Sequence, residues 1–281
     1  MYEKNVLSYA HSCFEKIIKN QFDKKYVHKE HSPHYHHLVL KSLKGYRKTG
    51  LYDSLNVLDE YIEGAEKVAQ NLYLPDGREI PFGDTDNQEP PGPVSSACSC
   101  EKSLWRESGY TVYKKLESYS CRTNSYNSNV HKHWDNLSVI WGEKGFDILV
   151  DPGKYKNSND DLRKRVLSSL SHNTLNFDNW GWSSKNIVRG SIFSEAHIEN
   201  DRLKVMAELG LKCGSDFFKF SRNLQYQTGK LAVIDSCIGC DDRSVVYSIF
   251  NFHKEFYVAL ESPKSLVLSN GMIDVVMSFP F

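Results

Sequence analysis

The sequence predicts an α+β protein, a short N-terminal α-helical segment followed by an antiparallel β-sandwich. Three observations predict it. Apolar residues recur at helical spacing up to residue 72. A Pro- and Ser-rich stretch, EPPGPVSSA at 89–97, then breaks the pattern. After Trp105 the apolar period shortens, and turn signals separate many short strand-like runs. The expected division is a helical segment over 1–88, a linker over 89–104 and the sandwich over 105–281.

The first helix is expected over 3–20, with Leu7, Ala10, Phe14, Ile17 and Ile18 on one stripe. Ser32-Pro33 is a helix start, with Ser as N-cap and Pro in the first turn. That second helix carries Tyr35, His36, Leu38, Val39 and Leu43 and stops near Gly50. A third begins near Tyr52, and Leu55, Leu58, Ile62, Ala65, Val68, Ala69 and Leu72 form its apolar face until Pro75-Asp76-Gly77 ends it. Strands are expected over 109–114, 118–124, 136–141 and 146–150, the last two joined by a turn at 142–145. Further strands are expected over 174–177, 187–193, 203–209, 216–225, 230–237, 244–252 and 256–260.

At 281 residues the chain can form one large or two modest domains. Lys and Arg total 35, and so do Asp and Glu, so no basic excess argues for nucleic acid or an anionic membrane surface. No apolar run is long enough to span a bilayer. The N-terminus MYEKNVLSYAHSCFEK lacks the apolar core of a signal peptide, so the chain as written reads as cytoplasmic. Seven cysteines cannot all pair internally, and free thiols fit a reducing compartment. Cys237-x-x-Cys240 has no partner pair elsewhere, which argues against a metal or redox role.

The chemistry concentrates between His131 and Thr174. His131, His133 and Asp135 alternate, so an extended strand would put all three on one face. The following hairpin returns a carboxylate, Asp151, towards the histidines, and His172 opens the next apolar run. Two imidazoles and a carboxylate, His133, Asp151 and His172, suit Zn2+. His131 would be left free for proton transfer. H-x-H also arises by chance on strands. A zinc hydrolase of the metallo-β-lactamase type is disfavoured, because Asn136 stands where such sequences carry a further histidine. His28, His31, His34, His36 and His37 crowd around the start of the second helix, and composition alone reads them as a solvated polar helix end.

Three blocks occur in order: H-x-H-x-D-x-L-S from His131, V-D-P-G from Val150, and an arginine-bearing loop leading into S-H-N-T at Ser171. In these the chain resembles the C-terminal β-domain of heparinase II/III-like polysaccharide lyases, which include alginate and oligo-alginate lyases. The string Glu30-His31-Ser32-Pro33-His34-Tyr35-His36 is similar to one at the end of that family's α/α toroid, and Gly83-Asp84-Thr85-Asp86 matches the turn that closes it. The resemblance spans about residues 5 to 255.

The resemblance implies Tyr35 and His131 as catalytic and His133, Asp151 and His172 as ligands of a mainly structural zinc. It implies an acidic polysaccharide as substrate, cleaved by β-elimination at a uronic acid. Arg163 and Arg165, with Lys164, are candidate contacts for the substrate's acidic groups, against the plain reading of a solvated loop. Two departures stand out. Leu170 replaces an arginine common before H-N-T, and Asp23 is followed by Lys24-Lys25 where relatives carry Asp-Gly. No Asn-Asn-His string precedes Tyr35 to neutralise the substrate carboxylate, and three helices do not close a toroid. The expectation is therefore the C-terminal part of a lyase, truncated or split, whose partner is a missing N-terminal toroid half. The alternative is a non-catalytic, zinc-stabilised sandwich that binds glycan or a partner protein.

Overall fold

In the computed structural model, residues 2–86, 101–105, 108–177, 181–188, 190–240 and 245–279 are described. Of the expected linker over 89–104, residues 89–100 lie outside them, while 101–104 belong to a strand, so the first sheet starts earlier than expected. Three helices come first: α1 (Tyr2–Gln21), α2 (Pro33–Lys48) and α3 (Asn56–Ala69). Ser32 is extended at φ −136° and its side chain accepts from the Tyr35 backbone N–H at 3.4 Å, with Pro33 in the first turn. Arg47 and Lys48 lie in the last turn, where the helix dipole favours positive charge. Ile18, Phe22, Leu40, Leu43, Leu58, Ala65 and Ala69 pack together as the core of this segment. Replacing Ser32 by Ala removes one cap and also its 2.9 Å bond to Thr85. The expected loss is about 1 kcal/mol of stability, read as a lowered denaturation midpoint at unchanged slope.

The first sheet is a meander of five antiparallel strands in the order β1 (Glu101–Trp105), β2 (Tyr110–Lys115), β3 (Ser118–Thr123), β4 (Ser138–Glu143) and β5 (Phe146–Leu149). Every residue of β3 and β4 is buried. The reason is that both faces of this sheet are covered. On one face Val112, Cys121 and Ile140 pack with Val27, Val68, Leu72, Leu74, Ile80 and Phe82 of the helical segment. On the other, Tyr113, Val139 and Trp141 pack with Val205, Leu224 and Tyr226 of the second sheet.

That second sheet has four antiparallel strands, β7 (Phe193–Glu199), β8 (Arg202–Cys213), β9 (Asp216–Gln227) and β10 (Lys230–Ile238), in spatial order β10-β9-β8-β7. The two sheets form an antiparallel sandwich on which the helices sit as a third layer. A short pair, β6 (Leu175–Phe177) with β11 (Val246–Ser248), and a three-stranded sheet of β12 (Tyr257–Ser262), β13 (Ser265–Ser269) and β14 (Asp274–Ser278) complete the fold.

Several expectations need correction. Residues 131–137 are not a strand; they form an irregular turn-rich segment, and β4 begins only at Ser138. His131 and Leu137 both have positive φ, +53° and +66°, which no extended strand accommodates. The stretch at 187–193 contributes only a single bridge between Ile187 and Leu211, and the strand starts at Phe193. The arginine-bearing stretch is a helix, α4 (Asp161–Leu167), not a loop, because Asp160 caps it by accepting from the Arg163 N–H at 2.8 Å. Cys237 and Cys240 form a disulfide, while Cys13, Cys121 and Cys213 are free.

Candidate functional site

The site forms where the turn after α3 meets the loop before β4. Gly83 and Asp84 follow the buried Phe82, and the Asp84 N–H donates to the His131 carbonyl at 3.1 Å. Thr85 anchors the same turn: its hydroxyl donates to the Phe82 carbonyl at 2.7 Å, and its carbonyl accepts from the Lys154 N–H at 2.9 Å. The helical segment is thereby pinned to the loop that carries the histidines.

Asp84 is the hub. Its Oδ1 lies 2.9 Å from His133 Nε2 and 2.6 Å from an Arg163 guanidinium nitrogen. Its Oδ2 lies 3.1 Å from His131 Nδ1 and 2.8 Å from the second Arg163 nitrogen. Burial works to raise the Asp84 pKa. Hydrogen bonds from His133 and Arg163 outweigh it and hold the carboxyl well below the usual carboxylate range. Arg163, expected to reach towards substrate, is buried and spends its fork on this carboxylate, whereas Arg165 is exposed. Asp84 was not singled out in the sequence as a functional residue. Its only signal was membership of the Gly83–Asp86 turn.

Tyr35 and His131 come together as a stacked pair. Their ring centroids are 3.4 Å apart and their planes 15° from parallel. Both rings are half-buried. On the far side, His131 Nε2 is 3.5 Å from Glu30 Oε2. Tyr35 is held by the Ser32 cap of α2 and His131 by Asp84, so two separate parts of the chain build this pair.

His133, Asp151 and His172 also converge. Each offers a ligand atom within 4.8 Å of the others, and all three are buried. Asp151 Oδ2 lies 2.8 Å from His172 Nδ1, while Oδ1 accepts from the Gly153 N–H at 3.1 Å. Two buried nitrogens in this cluster, His133 Nδ1 and His172 Nε2, have no hydrogen-bond partner. Orphaned polar atoms at this depth are costly unless something binds them. Burial lowers His133 to about 4, with its Asp84 bond opposing, so the ring is neutral and has a lone pair to give. The donor set therefore fits a divalent cation that accepts imidazole and carboxylate.

The loops around the cluster are tied down from beneath. Asn173 donates to the Val139 and Val150 carbonyls at 2.7 and 2.9 Å and accepts from the Asn251 N–H at 2.6 Å. Arg222 of β9, fully buried, donates to the Leu137 and Asn173 carbonyls at 2.9 and 2.5 Å and pairs with both oxygens of Asp235 at 2.7 Å. The second sheet thus grips the residues flanking both histidines. Lys132 is buried against Asp135, so the two offset each other's charge.

The crowded histidines are not a solvated helix end. His28, His31 and His36 are each at most 3 % exposed. The His31 ring joins the helical segment to the second domain, with Nδ1 3.1 Å from Ser125 Oγ and Nε2 accepting from the Asn127 and Ser128 N–H groups. His37 and His34 both face Glu79, at 2.6 and 3.1 Å.

Comparison with known proteins supplies the wider frame. The family profile described as heparinase II/III-like, C-terminal, matches residues 102–279. A solved heparinase III is similar to this chain at a TM-score of 0.56 and 11% identity, over 96% of this chain and 60% of its own. Heparan sulfate lyase HepC from Pedobacter heparinus is similar at 0.55 and 14% identity, over 96% and 61%. At such identities the likeness shows the fold. This chain spans about three fifths of either neighbour's length. No curated protein sequence matches it.

Proposed function

Because the chain belongs to the heparinase II/III-like family, we propose that it acts as a polysaccharide lyase. The reaction is β-elimination at a uronic acid in an acidic polymer. The observation that carries this reading is the Tyr35–His131 stack beside a buried two-histidine, one-carboxylate cluster. A heparan-type polymer is the first substrate to try, because one solved neighbour is a heparan sulfate lyase.

β-Elimination removes the proton at C5 and expels the oxygen at C4. It needs a base at one atom and an acid at the other. Tyr35 and His131 divide these two transfers. A phenol and an imidazole each exchange a proton in both directions, and the stack keeps them on one substrate ring. The charge that develops on the uronate carboxylate must also be met. Arg165, exposed on α4, is the arginine free to approach it, and further toroid helices from a longer or second chain would supply the rest. The helical segment here, residues 1–88, is read as the last part of that toroid, and 105–281 as the sandwich.

Zn2+ would be held by His133, Asp151 and His172, with His133 Nδ1 and His172 Nε2 as the nitrogens open to it. When bound, it supplies a rigid tie between the two loops and neutralises the Asp151 charge. Aiming His131 and holding Tyr35 remain the work of Asp84 and the Ser32 cap.

The test is ultraviolet absorbance of a 4,5-unsaturated uronate, followed on a panel of heparan-type, alginate and capsular polymers. Tyr35→Phe keeps the stack and removes the hydroxyl; His131→Ala removes the partner. Each should lower kcat by at least about a hundredfold while one metal per chain is retained. Absorbance that rises equally in wild type and both variants would overturn the assignment. No rise on any polymer, with metal still bound, would favour a glycan-binding sandwich instead.

A further inference from the structure

Asp84 makes contacts that a scaffold aspartate has no need to make. An ionised carboxylate only accepts hydrogen bonds, so each nitrogen facing it carries a hydrogen. His131 therefore has its hydrogen on Nδ1, 3.1 Å from Oδ2, and His133 has its hydrogen on Nε2, 2.9 Å from Oδ1. Arg163 donates to Oδ2 at 2.8 Å, and its other guanidinium nitrogen lies 2.6 Å from Oδ1 as an ion pair, so the same cation faces both oxygens. The opposite nitrogens are thereby assigned. His131 Nε2, beside the half-buried Glu30, is left for proton exchange. His133 Nδ1, without a partner, is left for a metal.

We propose that Asp84 is a positioning residue that fixes both imidazoles of the site at once, His131 for proton transfer through Nε2 and His133 for metal binding through Nδ1. The inference rests on the lyase reading for the role of His131, but the assignment of the ring nitrogens does not. One carboxylate then couples the proton-transfer pair to the metal cluster. Asn at this position breaks the arrangement for a definite reason. Its amide oxygen accepts on one side only, and its NH2 group on the other side faces a nitrogen that must then shed its hydrogen. Whichever histidine meets the NH2 takes the wrong tautomer. Arg163 also loses its ionic partner.

The experiment has two parts, both on the full chain. Long-range proton–nitrogen NMR spectra of histidine-labelled, zinc-loaded wild type read the ring nitrogens directly. Hydrogen on His131 Nδ1 and on His133 Nε2 is expected, and the opposite placement on either ring overturns the proposal. Asp84→Asn is then compared with wild type in the same spectra, in zinc per chain and in lyase kinetics. The expected result is one histidine with its hydrogen moved, or zinc lost, together with a kcat reduced on the order of 10³-fold and KM within about threefold. A folded variant with both rings unchanged and zinc retained would overturn the proposal. If wild type makes no product on any polymer, the lyase reading fails while the spectra still decide the role of Asp84.

Discussion

Acidification from pH 7 to pH 5 should remove a large share of this protein's stability, before most of its carboxylates titrate. Three buried histidines cause this. Burial lowers His28 to about 4, and His31 and His36 to about 3. His31 and His36 are also held neutral by hydrogen bonds that a second ring hydrogen would break. His31 Nε2 already accepts two backbone N–H groups, and His36 Nδ1 accepts the His28 N–H at 3.2 Å while its Nε2 donates to the Ala65 carbonyl at 2.9 Å. The folded pKa values lie below the unfolded value near 6.5, so between about pH 6.5 and 3 the unfolded chain binds more protons than the folded one. The stability these rings contribute is complete above pH 6.5 and is lost as pH falls through that window. Each histidine removes up to about 1.4 kcal/mol per pH unit. Three together remove about 4 kcal/mol per unit, against a typical total of roughly 5–15 kcal/mol. His133, also lowered by burial, adds to the trend when it holds no metal. Thermal melts in matched buffers should show a midpoint falling steeply below pH 6, with close to three protons taken up per chain unfolded at pH 5. A midpoint constant between pH 7 and 5 would show that these rings are not held neutral.

The same histidines show where sequence reasoning reached and where it stopped. The helical segment is legible because Leu43, Leu58, Ala65 and Val68 fall at helical spacing, and because Ser32-Pro33 is a start signal whose cap needs no tertiary partner. The sandwich was legible as an architecture, since short strands with turns between them have few other ways to bury both faces. Burial of His28, His31 and His36 was not legible. A histidine's polarity places it at the surface by composition, and only contacts invisible to spacing, such as Ser125 for His31 and the Ala65 carbonyl for His36, draw it inside. The cluster of His133, Asp151 and His172 was anticipated as a group, but by an incorrect route. Alternation assumed a strand at 131–135, whereas the segment is irregular and His131 is left-handed at φ +53°. Asp84 escaped because it comes from the helical side of the chain, 47 residues before His131. Arg163 is expected at the substrate because an arginine's partner, here Asp84, cannot be seen from spacing.

Gly83 is where these separate pieces depend on one atom that is missing. It sits at φ +57°, and a Cβ placed there would come 2.4 Å from the His31 carbonyl oxygen and 2.6 Å from the His131 carbonyl oxygen. Both are backbone atoms, one from the helical segment and one from the histidine loop, so neither can swing aside as a side chain would. Gly83→Ala must therefore push the two segments apart or abandon the turn. Either movement displaces Asp84, the next residue, from His131 and His133. The expected cost is more than about 4 kcal/mol, with loss of the metal site and of any lyase activity. Gly214→Ala separates the two components of that cost. Gly214 has a similar φ of +62° but nothing within 4 Å of its would-be Cβ, so only the left-handed penalty of about 1–2 kcal/mol applies, and zinc binding should be untouched. Denaturant melts and zinc stoichiometry on both variants check this. Equal losses at the two positions would mean that the close approach at Gly83 relaxes, and that the junction between helices and sandwich is looser than the contacts of Asp84 require.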